Sequence, residues 1–179
     1  MLDQQFVAQR PNQKWLADIT YVQTREGWLY LAGVLDLYSR RIVGWAMDKT
    51  MGQELVSRAL EMALVGRKPD DGLVHHSDRG SQYAARAYQQ RLRDCGVSIS
   101  MSRRANCYDN SPIESFWSTL KIECASDVFS SRASARQQIF EYIEVWYNRA
   151  RRHSALGYQN PAAFERLHPR ALQLSTKLA

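Results

Sequence analysis

The stretch WLADITYVQTREGWLYLAGVLDLYSRRIVGWAM, residues 15–47, decides the fold. From Trp15 the side chains alternate, with Trp15, Ala17, Ile19 and Tyr21 on one face and Leu16, Asp18, Thr20 and Val22 on the other. That period of two, rich in aromatic and β-branched residues, predicts a strand. Glu26-Gly27 makes a turn, and Trp28–Leu35 is apolar throughout, which predicts a second strand buried on both faces. Asp36 through Arg40 turns the chain, with Asp36 read as a turn residue, and Ile42–Met47 alternates as a third strand. Connections this short join antiparallel neighbours, so residues 15–47 form a three-stranded meander.

Downstream the period changes to that of a helix. Leu55, Val56, Ala59, Leu60, Ala63 and Leu64 share one helical stripe, which is predicted to end at Gly66. After the Pro69–Gly72 loop, a short strand Leu73–His76 delivers Ser77-Asp78-Arg79-Gly80. A helix over Ala84–Cys95 and a strand over Val97–Ser100 follow. The order βββ-α-β-α-β predicts an α/β fold, a mixed five-stranded sheet flanked by helices. Residues 101–110 have no periodicity. Ser111-Pro112-Ile113-Glu114 predicts a helix start, with Ser111 as N-cap and Glu114 closing a capping box. Its apolar stripe is Ile113, Phe116, Trp117 and Leu120. A later helix over Ser131–Tyr147 is predicted to turn Ile139, Phe140, Ile143, Trp146 and Tyr147 inward, and Asn160-Pro161 opens a last short one.

With 179 residues, 45% hydrophobic and 23% charged, the chain is neither disordered nor collagen-like and needs no staples to bury a core. Its longest apolar run, Trp28–Leu35, is far short of the ~20 residues that span a bilayer, and the N-terminus lacks a signal-peptide pattern. The expectation is a soluble, cytoplasmic protein. Three cysteines without a C-x-x-C pair argue against a disulfide framework or zinc knuckle. The net charge of +6 is weighted toward the C-terminal part, with 13 basic against 11 acidic residues up to 102 and 11 against 7 beyond. Such an excess suits a polyanionic partner without requiring one.

Three acids stand where acids are awkward. Asp18 interrupts an apolar and aromatic strand, Asp78 ends a short strand, and Glu114 sits in the first turn of an amphipathic helix. Singly, each has a plain structural explanation: an exposed sheet face, a turn and half of a capping box. Together they offer what two hard cations about 3.5–4 Å apart require to clamp a phosphodiester displacement. Lys121, two helical turns after Glu114, lies on the same helix face, where it suits a DNA phosphate.

At these residues the sequence resembles the catalytic half of bacterial insertion-sequence transposases of the orfB type, in the retroviral-integrase core superfamily. The resemblance rests on five stretches. They are residues 15–21, 27–45, the motif HSDRGSQY at 76–83, NCYDNSPIESFW at 106–117, and Tyr147-Asn148 through Arg151-Arg152-His153-Ser154 to Leu156-Gly157-Tyr158. It implies a ribonuclease H-like fold; the expected division is an N-terminal arm or linker over 1–14, a catalytic core over 15–127 and a basic helical C-terminal extension over 128–179. It also implies that Asp18, Asp78 and Glu114 are an Asp-Asp-Glu triad binding Mg²⁺, with Mn²⁺ substituting, and that Lys121 matches the basic position after the Glu. The implied activity is hydrolysis of DNA at transposon ends, followed by strand transfer through the freed 3′-hydroxyl. The implied partners are double-stranded DNA at ends and target, further copies of the chain assembled on DNA, and an upstream helix-turn-helix portion. No such motif precedes Trp15, so the chain reads as a catalytic fragment or second reading frame.

Arg103, Arg104, Arg149, Arg151 and Arg152 are candidate phosphate contacts, with solvated charge as the alternative. Asp109 and Asn110 either touch DNA, brace the site or cap the following helix. His75 and His76, as strand neighbours, point to opposite faces and read as hydrogen-bonded histidines rather than metal ligands. Trp117 and Trp146 read as core residues. A nuclease of the same fold and a non-catalytic nucleic-acid-binding module are the competing functions. Lys121 and the basic extension count against the first, and the three intact acids against the second.

Overall fold

The computed structural model describes residues 7–102 and 110–169. Strands β1 (Lys14–Thr24), β2 (Gly27–Asp36) and β3 (Ile42–Asp48) form the expected antiparallel meander, with Trp15 opposite Asp36 and Thr24 opposite Gly27. Strand β4 (Val74–Ser77) joins parallel to β1 on its free edge, and β5 (Ser98–Met101) parallel to β4. The sheet order is β3-β2-β1-β4-β5, which puts β1 at the centre.

Alternation along β1 feeds two cores. Trp15 and Ala17 pack on the side of helices α1 (Gln53–Arg67) and α3 (Arg86–Asp94). Leu16 and Val22 pack on the side of α4 (Ser111–Glu123) and α5 (Arg132–Glu141). Gly44 of β3 sets how closely α1 approaches, since a Cβ there would lie 2.2 Å from the Ala59 carbonyl oxygen.

Several local details differ from the sequence pattern. Gly66 stays helical and α1 leaves its axis at Lys68, a non-glycine at φ 43° whose N–H still bonds the Leu64 carbonyl. The helix predicted over 84–95 is two pieces, a single turn α2 (Ser81–Ala84) and then α3, separated by extended Ala85. Trp28, expected to be buried, is 46% exposed and stands edge-on to Tyr21 at the sheet's end. Helix α5 continues as a π-helix over Tyr142–Tyr147. Its wider turn rotates the apolar stripe, so Tyr147 goes in while Trp146 stays half exposed. Phe140 also faces out, against the edge of Trp45. A predicted detail does recur at α6 (Pro161–Leu167), where the Asn160 side chain accepts from the Ala163 N–H at 2.8 Å.

Asp36 does more than make a turn. Fully buried at the end of β2, it accepts the N–H groups of Asn12 and Tyr38 and pairs with Arg67 at 3.2 Å. Arg67 also pairs with Glu165 of α6 at 2.8 Å, and Glu165 takes Arg41 and the Ser39 hydroxyl. This cluster fastens the C-terminal helix to the turn between β2 and β3. Among the described residues no helix is long and apolar enough to cross a membrane.

Gly44→Ala should drive the helix off the sheet and cost at least ~2 kcal/mol, the upper range of overpacking. Urea unfolding of the variant beside the parent protein measures this. An unchanged midpoint would mean that α1 yields without loss.

Candidate active site

The meander and its parallel neighbour decide where the three acids go. Asp18 lies mid-strand on β1, opposite Gly33 of β2 and on the same face as Leu16, beneath α4. A carboxylate there is enclosed, and burial pushes it up to about 6. The Ile19 N–H and the Trp117 indole oppose that rise, whereas the charges of Asp78 and Glu114 add to it. Trp117 Nε1 donates to Asp18 Oδ2 at 3.0 Å. The indole reaches across β2 because Gly33 leaves it room; a Cβ at Gly33 would sit 2.7 Å from the ring.

Asp78 follows β4 directly, and β4 is the parallel neighbour of β1. It is exposed, and its Oδ1 accepts the Gly80 N–H at 2.8 Å, the local turn such a residue favours. Arg79 Nε donates to the Ser102 carbonyl at 2.8 Å and holds this turn to the end of β5. Glu114 enters from the opposite layer, in the first turn of α4.

The helix start corrects the sequence reading. Asn110, not Ser111, is the N-cap, and no side chain caps the helix there. Glu114 therefore lies one residue too far along to close a capping box. Its exposed carboxylate is free for other work.

The fold thus brings Asp78 and Glu114 close enough to Asp18 for their charges to act on it. It does not draw them tight: among the described residues no three acidic, histidine or cysteine side chains converge closely enough to grip an ion. Asp78 is turned back onto its own loop, where it accepts the Gly80 N–H. The donor set is all oxygen, which suits a hard divalent cation.

The other expected residues sort clearly. His75 is buried against the Tyr88 hydroxyl at 3.0 Å, and His76 lies between Ser100 and Ser102 at 2.8 and 3.2 Å. Both are structural. The Lys121 ammonium stands 5.2 Å over the Tyr21 ring, a cation–π seat. Arg151 Nε pairs with Glu123 at 2.9 Å, while Arg149 and Arg152 are exposed. Arg103, Arg104 and Asp109 lie outside the described residues.

Sequence reasoning missed two residues. Trp117 was expected to fill the core, which it does, but its polar edge also steers Asp18. Its place three residues after Glu114 puts both on neighbouring helical rows, the one signal in the sequence that points to it. Tyr83 is buried with its hydroxyl unpartnered among the described residues, near enough to Asp18 and Asp78 for their charges to raise it beyond what burial does. Only its place within the motif at 76–83 hinted at that.

A sequence profile described as Integrase core domain matches residues 8–107, and a second of the same description matches residues 95–161. Over 173 residues the chain is 54% identical to the insertion element IS600 uncharacterized 31 kDa protein of Shigella sonnei, covering 96% of this chain and 64% of that protein. It is 48% identical over 166 residues to transposase InsF for insertion sequence IS3A of Escherichia coli K12, covering 92% of this chain and 58% of that protein. The chain thus spans less than two thirds of the length of these curated relatives. A chain of the simian T-cell lymphotropic virus intasome, solved in complex with PP2A regulatory subunit B56 gamma, superposes with a TM-score of 0.72 at 15% identity, over 96% of this chain and 62% of that one. The HTLV-2 integrase catalytic core in complex with magnesium gives 0.61 at 12% identity, over 88% of this chain and 99% of that one. These two likenesses are of fold, the retroviral integrase core.

An acid raised to about 6 makes the folded state bind more protons than the unfolded one between its ordinary value near 4 and 6. Stability is then lost as pH rises through that window. Asp18→Asn keeps the acceptor for Trp117 and removes the charge. In metal-free buffer it should match the parent protein near pH 4 and exceed it at pH 7.5, by on the order of 2 kcal/mol. Chemical denaturation at both pH values checks this, and an equal difference at both would contradict it.

Proposed function

This chain belongs to the integrase core domain family, and from that premise we propose that it is the catalytic core of an insertion-sequence transposase. It cuts DNA at transposon ends and joins the freed 3′-hydroxyl to target DNA. The observation that carries this reading is that Asp18 on β1 lies near enough to Asp78, just after β4, and Glu114, on α4, for both charges to act on it. We assign these three the catalytic, metal-holding role, residues 15–127 the core, residues 128–179 a helical, DNA-binding extension, and residues 1–14 an arm or linker. The relatives named as transposases and the core solved with magnesium support the assignment.

Mg²⁺, or Mn²⁺ in its place, would neutralise charge on the phosphodiester and make water or a 3′-hydroxyl a better nucleophile. The chain's own residues do the positioning. Asp18 supplies a carboxylate whose direction the Trp117 indole fixes, and Asp78 supplies one from a turn braced by Arg79. Glu114 adds the third from a helix whose apolar stripe is locked into the core. Such electrostatic preorganisation suits phosphoryl transfer, which needs charge placed more than it needs covalent chemistry. Lys121, with Arg103, Arg104, Arg149, Arg151 and Arg152, takes the DNA backbone. Double-stranded DNA is the substrate, further copies of the chain assemble on it, and a helix-turn-helix portion or partner recognises the ends. The working compartment is the bacterial cytoplasm.

A strand-transfer assay on a duplex carrying the element's terminal sequence tests the reading. Joined product is expected in Mg²⁺ or Mn²⁺ and none in Ca²⁺, whose coordination is looser and larger. Cleavage without joining would favour a nuclease, and binding alone a non-catalytic module. Activity surviving thorough chelation would end the metal assignment.

Glu114→Gln is the sharper test. The neutral amide should leave the unfolding midpoint within ~1 kcal/mol of the parent protein, since no cap is lost, yet reduce cleavage and joining by orders of magnitude. Near-normal joining by well-folded Glu114→Gln protein would break the triad.

A further inference from the structure

Helix α4 has a second working face. Beside the row that carries Glu114, the hydroxyls of Ser111, Ser115 and Thr119 line a groove of about 600 Å³ whose far wall is Arg40, Arg152 and His153. Among the described residues no acid lines this groove. Arg151 also borders it, but its charge is answered by Glu123. Among the described residues Arg40 and Arg152 have no carboxylate partner.

Arg40 is built into this place at a cost. It adopts φ 60°, a left-handed conformation that glycine or asparagine takes more cheaply. The turn is pinned on both sides. The Tyr147 hydroxyl donates to the Arg40 carbonyl at 3.1 Å, and Asn148 both accepts from and donates to the Ile42 backbone at 3.0 Å. A half-buried arginine held at positive φ, with no carboxylate partner among the described residues, suits an anion. His153 agrees: its Nε2 is buried without a partner among the described residues, while its ring packs edge-on to Tyr147 at 4.9 Å. Burial, and then the charges of Arg151 and Arg40, hold this imidazole neutral, down to about 4. A neutral ring presents one donor nitrogen to a phosphate oxygen without adding charge to desolvate.

We propose that this groove seats the phosphodiester backbone of DNA flanking the reacting phosphate, with Arg40, Arg152, His153 and the Ser111 and Ser115 hydroxyls as its contacts. The proposal rests on the reading of the chain as a DNA transposase and adds to it a strand-positioning site distinct from the carboxylates. Glu114 and Ser115 are consecutive, so one helix would hold the reacting phosphate on one row and its neighbours on the next. Groups of this kind position DNA and carry no sequence information. Exposed Tyr158, also at positive φ, stands at the groove's edge as a face for a sugar or base.

The test measures binding of the chain to a labelled short duplex by fluorescence anisotropy over a range of salt, in parallel with strand transfer in Mg²⁺. Arg40→Gln/Arg152→Gln should lower the slope of log Kd against log salt by about two contacts, roughly 0.9 each. The charge-matched pair Arg86→Gln/Arg166→Gln, outside the groove, should leave it nearly unchanged. Arg152→Gln alone, at an exposed position that should not disturb folding, should lower it by about one. The His153 ring resonance should shift on adding duplex, and inorganic phosphate at equal ionic strength should not reproduce that shift. A parental slope in folded groove variants, an equal loss in the control pair, or a His153 shift caused by inorganic phosphate and not by duplex would each overturn the proposal. Failure of the wild-type protein to join or cut DNA while the groove slopes behave as stated would instead overturn the transposase reading.

Discussion

A single hydrogen bond ties the two layers of this protein together where it matters. The indole of Trp117, on α4, donates to Asp18, at the centre of the sheet, across 99 residues of chain. Two constraints make it possible. Gly33 on the adjoining strand leaves room for the ring, and the apolar stripe Ile113, Phe116, Trp117 and Leu120 anchors the helix against the sheet. Asp18 can then remain enclosed without being abandoned, since one of its oxygens has a fixed donor. Burying a carboxylate with no such partner would cost several kcal/mol or force it neutral. The same helix carries Glu114 in its first turn, so whatever fixes Trp117 also fixes the direction from which Glu114 approaches.

The segment after α5 holds the far end of that helix. Glu123, at the far end of α4, accepts from Tyr142, Trp146 and Arg151, which binds the π-helical segment to it. The Asp36, Arg67 and Glu165 cluster then secures the last helix to the turn after β2. Removing one member of such a partly buried cluster leaves a charge uncompensated, a loss of about 3–5 kcal/mol in comparable cases. The far end of α4 is thus held by Tyr142, Trp146 and Arg151, and α6 is held separately to the β2–β3 turn.

Much of this was legible in the sequence because strand periodicity is a local signal. The meander over 15–47, its short connections and the placement of Asp18 mid-strand followed from alternation alone, and Asp78 followed from its position at a strand end. What could not be read locally was set by tertiary contact. The π-turn that swings Trp146 outward leaves no mark in a 3.6-residue pattern. The N-cap shift from Ser111 to Asn110 is one residue, yet it removes the structural explanation for Glu114. The hydrogen bond from Trp117 was hidden because an aromatic residue on an apolar stripe reads as packing. Arg40 was hidden because positive φ in a non-glycine turn residue is visible only in the backbone.

The central claim is that Asp18, Asp78 and Glu114 form one cation site. The most direct measurement is a crystal structure of the chain soaked in Mn²⁺, with the ion located by its anomalous scattering. The account predicts a peak bounded by oxygens of all three carboxylates at roughly 2.1 Å, the spacing of a small hard divalent ion, with the Asp78 turn opened toward it. A peak bound only by other side chains, or one that leaves Glu114 unengaged while Asp18 and Asp78 are occupied, would contradict it.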